Sequence, residues 1–180
     1  LPECVATLRD FSVCLAADRR SGPAIRNYNV LLAGPPGTGK TEFVKYLAAE
    51  LGRELVAKRA SDLLSCWIGV TEEQVREAFE EAQADDAILF FDEIEGLLGD
   101  RRQAMRSWEI TRVNELLVGM ENFRGIFVAA TNFRERVDAA AIRRFNLKLE
   151  FDYLNNDGKR RLFNRFLKPL TRRKLTRADT

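Results

Sequence analysis

The chain contains no histidine. That absence removes imidazole-based nucleophile triads and histidine metal sites, and any general base must be a carboxylate, lysine, tyrosine or cysteine. Cysteine is sparse: Cys4, Cys14 and Cys66 lack metal-ligand spacing, and an odd number cannot all pair. Such usage is expected of a reducing compartment, so a cytoplasmic location is the expectation. No apolar run reaches membrane-spanning length, and no secretory leader is visible. Net charge is also small: 29 basic against 27 acidic residues leave +2, too weak a field to argue for nucleic acid. The local run of Arg172, Arg173, Lys174 and Arg177 reads as a solvated tail. There is no internal repeat and no low-complexity segment. The first residue is Leu1 rather than Met, so the chain reads as a piece of a longer one.

What is present is an ordinary globular composition at 180 residues, enough for one domain with a real core. A helix-like stretch from Cys4 to Arg19 leads into the turn-rich joint "RRSGPAIRN". "NVLLA" is then a short apolar strand, and "KTEFVKYLAAEL" carries apolar residues at helical spacing with Gly52 beyond its end. "ELVAKRA" reads as a second strand. Thr71 is expected to cap the helix "TEEQVREAFEEAQ", with Gln74 three residues on. "DAILFFD" and "GIFVAAT" are fully apolar runs, as buried parallel strands are. Between them lies a helix through "WEITRVNELLVGM"; after them come a short helix near "DAAAIRR", a fifth strand "LKLEF" and an amphipathic helix from Asn155 to Lys168. Strands alternating with helices predict an α/β fold with a parallel sheet.

Three strand ends carry the chemistry. "GPPGTGKT" (Gly34, Pro35, Pro36, Gly37, Thr38, Gly39, Lys40, Thr41) fits G-x-x-x-x-G-K-[ST] between a strand and a helix, the context this motif requires. Its glycines let the backbone aim N–H groups at phosphate oxygens, and the helix end adds its positive dipole. Lys40 can reach the β- and γ-phosphates, and Thr41 can ligate Mg²⁺. "ILFFDEIEG" ends a strand in Asp92 and Glu93, at the edge where parallel sheets bind ligands. Asp92 would hold Mg²⁺ and Glu93 would polarise the attacking water; a helix cap and a first-turn acid are the alternative. "AATNF" places Asn132 at a third strand end, either positioning that water or capping the strand.

Taken together, these motifs resemble the AAA+ ATPases over residues 28 to 167. "GPPGTGKT" is similar to the family's Walker A, "ILFFDEIEGLL" to its Walker B, "FVAATN" to its sensor 1, and "VNELLVGMEN" to the helix opening its second region of homology. The resemblance implies a five-stranded parallel sheet in the order 5-1-4-3-2, followed by a helical lid. It implies ATP with Mg²⁺ as cofactor and a ring, usually hexameric, whose neighbouring subunit supplies an arginine. In "AIRRF" that arginine would be Arg144, with Arg143 beside it; a guanidinium suits the task because its charge is permanent and its donors are forked. Residues 1–24 would be a helix and linker, 25–154 the nucleotide-binding unit, and 155–180 the start of an incomplete lid. Without the full lid no sensor 2 arginine is assigned, and weak nucleotide affinity and a monomer are expected of these residues alone.

"WIGVTEEQ" resembles the pore loop of protein-remodelling members of that family. Trp67 would grip a polypeptide, with Ile68 supporting it and Gly69 leaving the loop free to move; otherwise Trp67 packs on its own domain. The expected activity is ATP hydrolysis driving protein remodelling. A DNA-associated ATPase and a nucleotide-dependent scaffold without sustained turnover are the rivals.

Overall fold

The computed structural model describes residues 6–10, 27–63, 70–98 and 107–166. Five strands, β1 (Tyr28–Ala33), β2 (Leu55–Arg59), β3 (Ile88–Asp92), β4 (Ile126–Thr131) and β5 (Leu147–Glu150), form one sheet in the order β2-β3-β4-β1-β5. Every pairing is parallel. This is the expected order, read from the other edge. Between the strands lie α1 (Lys40–Leu51), α2 (Ala60–Leu63), α3 (Val70–Ala84), α4 (Ser107–Asn122) and α5 (Ala139–Ile142), and α6 (Asn156–Phe166) follows β5.

The three central strands are the apolar runs, and burial follows their composition. β4 is buried along its whole length, whereas the edge strands β2 and β5 are partly exposed. Because successive strand residues point to opposite faces, the sheet divides its side chains between two cores. Leu31, Leu89, Phe91, Phe127 and Ala129 meet Val75, Phe79, Leu116 and Met120 of α3 and α4. Val30, Leu32, Ile88, Phe90 and Val128 meet Phe43, Val44 and Leu47 of α1. The first core is aromatic at its centre, with the Phe91 and Phe127 rings perpendicular at 5.4 Å and Phe79 5.4 Å from Phe127. Each such ring stabilises by about 1.5–3 kcal/mol through burial alone.

Residues 6–10 are helical, and Leu8 is fully buried against the α1 face. The rest of the expected leading helix, its joint up to residue 26, the three cysteines and the basic tail lie outside the described residues. Gly52 ends α1 with φ 61° and bonds back to Ala48 and Ala49, as anticipated. The capping expectation for Thr71 is overturned. Val70 is already helical, so Thr71 lies inside α3 and is buried, and the Gln74 Oε1 atom that a capping box would employ is buried without a hydrogen-bond partner among the described residues. The physical reason is phase: buried positions 71, 75, 78, 79 and 82 form one stripe, so Thr71 belongs to the core face rather than to the helix entry.

Candidate functional site

The parallel strands end together on one edge, and the chain leaves β1 there as a glycine turn. Gly37 and Gly39 have φ of 75° and 91°, the left-handed region, and a Cβ at either would meet nothing within 4 Å. Glycine is therefore needed for the path of the backbone, and the space beside the turn is open. Thr38 Oγ1 donates to the Pro35 carbonyl at 2.8 Å and closes the loop on itself. α1 begins at Lys40 with no side-chain cap on its first N–H groups.

Lys40 is buried, at 7% exposure. Its ammonium donates to the carbonyls of Gly34 (2.7 Å) and Pro35 (2.9 Å) and to Asn132 Oδ1 (2.9 Å). Burial pushes its pKa below the usual lysine value, and the nearby Asp92 and Glu95 carboxylates oppose that shift. Thr41 Oγ1 donates to Asp92 Oδ2 at 3.1 Å, while the other Asp92 oxygen accepts the Glu93 N–H at 2.9 Å. Glu93 is exposed and takes φ 55°, ψ 42°, a left-handed conformation costing a non-glycine residue about 1–2 kcal/mol. Such strain persists where the surroundings impose it, commonly at functional sites.

The structure thus brings Lys40, Thr41, Asp92 and Asn132 into one cluster, with Glu93 at its rim. A hydroxyl and a carboxylate side by side, next to a lysine and an open glycine turn, fit a hard cation shared with phosphate oxygens, since Mg²⁺ takes only one or two protein ligands. Among the described residues no group of three or more His, Cys, Asp or Glu could hold a metal on its own.

The arginines sit elsewhere. Arg144 follows α5, and its carbonyl accepts from Asn29 Nδ2 at 3.1 Å, at the opposite end of β1 from the glycine turn. Four residue steps along the strand separate Asn29 from Ala33, roughly 13 Å. The Arg144 guanidinium donates to Glu121 Oε1 at 2.6 Å and to the Ala140 carbonyl at 3.1 Å. Arg143 is exposed. Both arginines hang from a four-residue helix whose cap, Asp138, is buried and accepts the N–H groups of Ala140 (2.9 Å) and Ala141 (3.4 Å). Asp138→Ala is expected to lower stability by about 1–2 kcal/mol in denaturant melts.

Trp67, Ile68 and Gly69 lie outside the described residues. Two groups not singled out in the sequence stand close to those that were: Glu95, which accepts the Asn132 N–H, and Glu121, which pairs with Arg144. A third acid within "DEIE" was the only sequence signal for the former; nothing local marks the latter.

A parallel sheet with a lysine-bearing glycine turn after β1, faced by the acidic end of β3, defines a P-loop nucleotide-binding fold. Residues 30–153 match the model of the ATPase family associated with various cellular activities (AAA), and the chain belongs to that family. It is 39% identical over 137 residues to the protein named Uncharacterized AAA family ATPase y4kL of Sinorhizobium fredii, covering 74% of this chain and 41% of that one. It is 36% identical over 145 residues to the ATP-dependent zinc metalloprotease FtsH 3 of Synechocystis, covering 75% and 24%. It is 38% identical over 146 residues to the ATPase histone chaperone abo1 of Schizosaccharomyces pombe, covering 74% and 12%. The chain therefore spans less than half the length of each of these relatives. Among the described residues, no helix is long and apolar enough to cross a membrane.

Proposed function

We propose that this chain is the ATP-hydrolysing core of a ring-forming protein remodeller, with residues 25–154 as the nucleotide-binding unit and 155–180 as the beginning of a lid. The observation that carries the reading is the convergence of Lys40, Thr41, Asp92 and Asn132 on one sheet edge, as two bonded pairs, Lys40 with Asn132 at 2.9 Å and Thr41 with Asp92 at 3.1 Å. The triphosphate lies along the glycine turn, and Lys40 exchanges its protein acceptors for β- and γ-phosphate oxygens. Thr41 and Asp92 would hold Mg²⁺, which neutralises charge on those oxygens when bound. Glu93, turned to the rim, takes a proton from the attacking water. The water oxygen forms a bond to the γ-phosphorus, and the bond to the bridging oxygen breaks with its electron pair leaving on ADP. Asn132 orients the water.

Arg144 completes the site of a neighbour rather than its own. Its attachment to the start of β1 and to Glu121 supports this, because it stands a strand length from its own phosphate turn. Reaching a partner's phosphate then requires exchanging Glu121, an exposed pair of modest strength. A polypeptide substrate gripped by Trp67, with Ile68 and Gly69, is supported by the names of two relatives, a metalloprotease and a histone chaperone.

The test uses the full-length protein. ATPase activity per subunit should rise with protein concentration as rings assemble. Trp67→Ala should retain at least half of that activity while losing all ATP-dependent unfolding of a tagged substrate. Salt-sensitive DNA binding with no polypeptide processing would support the DNA-associated rival. Nucleotide binding without turnover at ring-forming concentration would support the scaffold.

A further inference from the structure

We infer that Glu95 is a positioning residue of this site, acting through Asn132 rather than on the phosphates or the water. The inference rests on reading the Lys40, Asp92 and Asn132 cluster as the hydrolytic centre.

β3 ends at Asp92, Glu93 turns left-handed, and a single 3-10 turn, Ile94–Gly96, follows. Ile94 is fully buried in the aromatic core and anchors that turn. Glu95 is thereby presented to the end of the neighbouring strand, where its Oε1 accepts the Asn132 N–H at 3.4 Å. The register explains why that N–H needs it. Ala33 with Thr131 is the last pair between β1 and β4, so Asn132 is the first residue beyond the ladder.

Asn132 is consequently held at two points. Its side-chain oxygen accepts from Lys40 at 2.9 Å, and its backbone donates to Glu95. When Lys40 moves to a phosphate oxygen the first hold is lost. The second then decides where the carboxamide points, and a misplacement of the order of 1 Å in such a group costs about 10²-fold in rate.

The energetics of Glu95 point the same way. Its Oε2 is buried without a hydrogen-bond partner among the described residues, a burden of about 1–3 kcal/mol or more for a carboxylate. Among the described residues, one oxygen of this carboxylate is thus uncommitted and the other is used in a long bond. Hydrogen bonds at catalytic sites are often long until substrate draws them in, and the spare oxygen gives this carboxylate room to shift as the strand end tightens.

The experiment measures steady-state ATP hydrolysis and the Kd of a fluorescent ATP analogue in the full-length, assembled protein. Glu95→Ala should lower kcat about tenfold, with KM and Kd within about twofold of wild type, the signature of a group that acts only in the transition state. Glu95→Gln retains an acceptor oxygen and should recover kcat to within about threefold. Combined with Asn132→Ala, Glu95→Ala should cost nothing further, because the two act as a unit. If Glu95→Ala melts below the assay temperature, Glu95→Met removes the acceptor at similar volume and takes its place.

Unchanged kcat, an effect confined to KM or Kd, or multiplicative losses in the double variant would each overturn the positioning role. So would a Glu95→Gln variant as inactive as Glu93→Gln, which would make Glu95 a base. Glu93→Gln is measured in parallel to separate the two levels of inference. If it turns over normally, the base is another group, and the arrangement of the hydrolytic centre on which the inference about Glu95 rests falls with that assignment. If it is inactive while the acceptor-lacking Glu95 variant equals wild type, only the inference about Glu95 falls.

Discussion

Replacing Glu93 by Gln should stop ATP turnover while leaving the nucleotide bound. The substitution keeps side-chain length and hydrogen-bonding capacity and removes only the basic carboxylate. Glu93 is exposed, so little core packing is disturbed. Its backbone N–H bonds to Asp92 Oδ1, and that bond survives any change of side chain. The groups that would hold phosphate, Lys40 and the glycine turn, lie on β1 and α1 and are untouched. A general base typically contributes 10²–10⁴-fold, so kcat should fall by at least about 100-fold, some 2.7 kcal/mol of barrier. Turnover is followed by phosphate release, and retention is followed by co-elution of labelled ATP with the protein on gel filtration. Activity within about threefold of wild type in assembled protein would transfer the role to another group. Glu95 is the next carboxylate along the chain after Glu93, but its engagement with Asn132 and the burial of its other oxygen leave it poorly placed to take protons from water.

The fold was legible because its determinants are local. The strands β1, β3 and β4 are short apolar runs, each ending in a residue that cannot continue the core: Gly34 after Ala33, Asp92 itself, and Asn132 after Thr131. Those terminators are also the chemistry, so the same residues that mark strand ends mark the site. The phosphate turn was legible for a similar reason, since Gly37 and Gly39 adopt backbone angles that few other residues accept. What escaped depends on side chains meeting across long separations. Arg144 and Glu121 are 23 residues apart, and Asn132 and Glu95 are 37 apart. No periodicity encodes either pair. The left-handed turn at Glu93, which brings Glu95 to β4, is taken by a residue type that ordinarily avoids it. Thr71 was misread because a polar residue beside an acidic stretch looks like a cap, whereas the buried stripe of α3 extends back to include it.

The largest structural effect is expected at Gly34. Its φ of 151° already disfavours other residues, but contact rather than torsion decides the outcome. A Cβ there would lie 2.0 Å from the Phe151 carbonyl oxygen, 2.8 Å from the carbonyl carbon and 3.1 Å from Phe151 Cβ. None of these is the loose end of a flexible side chain. Phe151 cannot step aside, because its N–H is bonded to the Ala33 carbonyl at 2.7 Å and its ring packs edge-on against Phe43 of α1 at 5.6 Å. Gly34 cannot step aside either: its N–H bonds to the Thr131 carbonyl at 3.2 Å, and its own carbonyl receives Lys40. Gly34→Ala must therefore pull β5 from β1 or lift the phosphate turn, and both routes displace Lys40. Overpacking against fixed backbone, added to torsional strain, should cost about 3 kcal/mol or more, which for a domain of this size lowers Tm by roughly 6–12 °C. Nucleotide affinity should fall with it. Gly37→Ala is the internal control, since Gly37 is also left-handed, at φ 75°, but a Cβ there meets nothing within 4 Å. It should lose only the torsional cost of about 1 kcal/mol, some 2–4 °C. Equal losses of Tm at the two positions would mean that backbone torsion alone explains these glycines, and that the close contact between the phosphate turn and the end of β5 is not what makes glycine necessary at position 34.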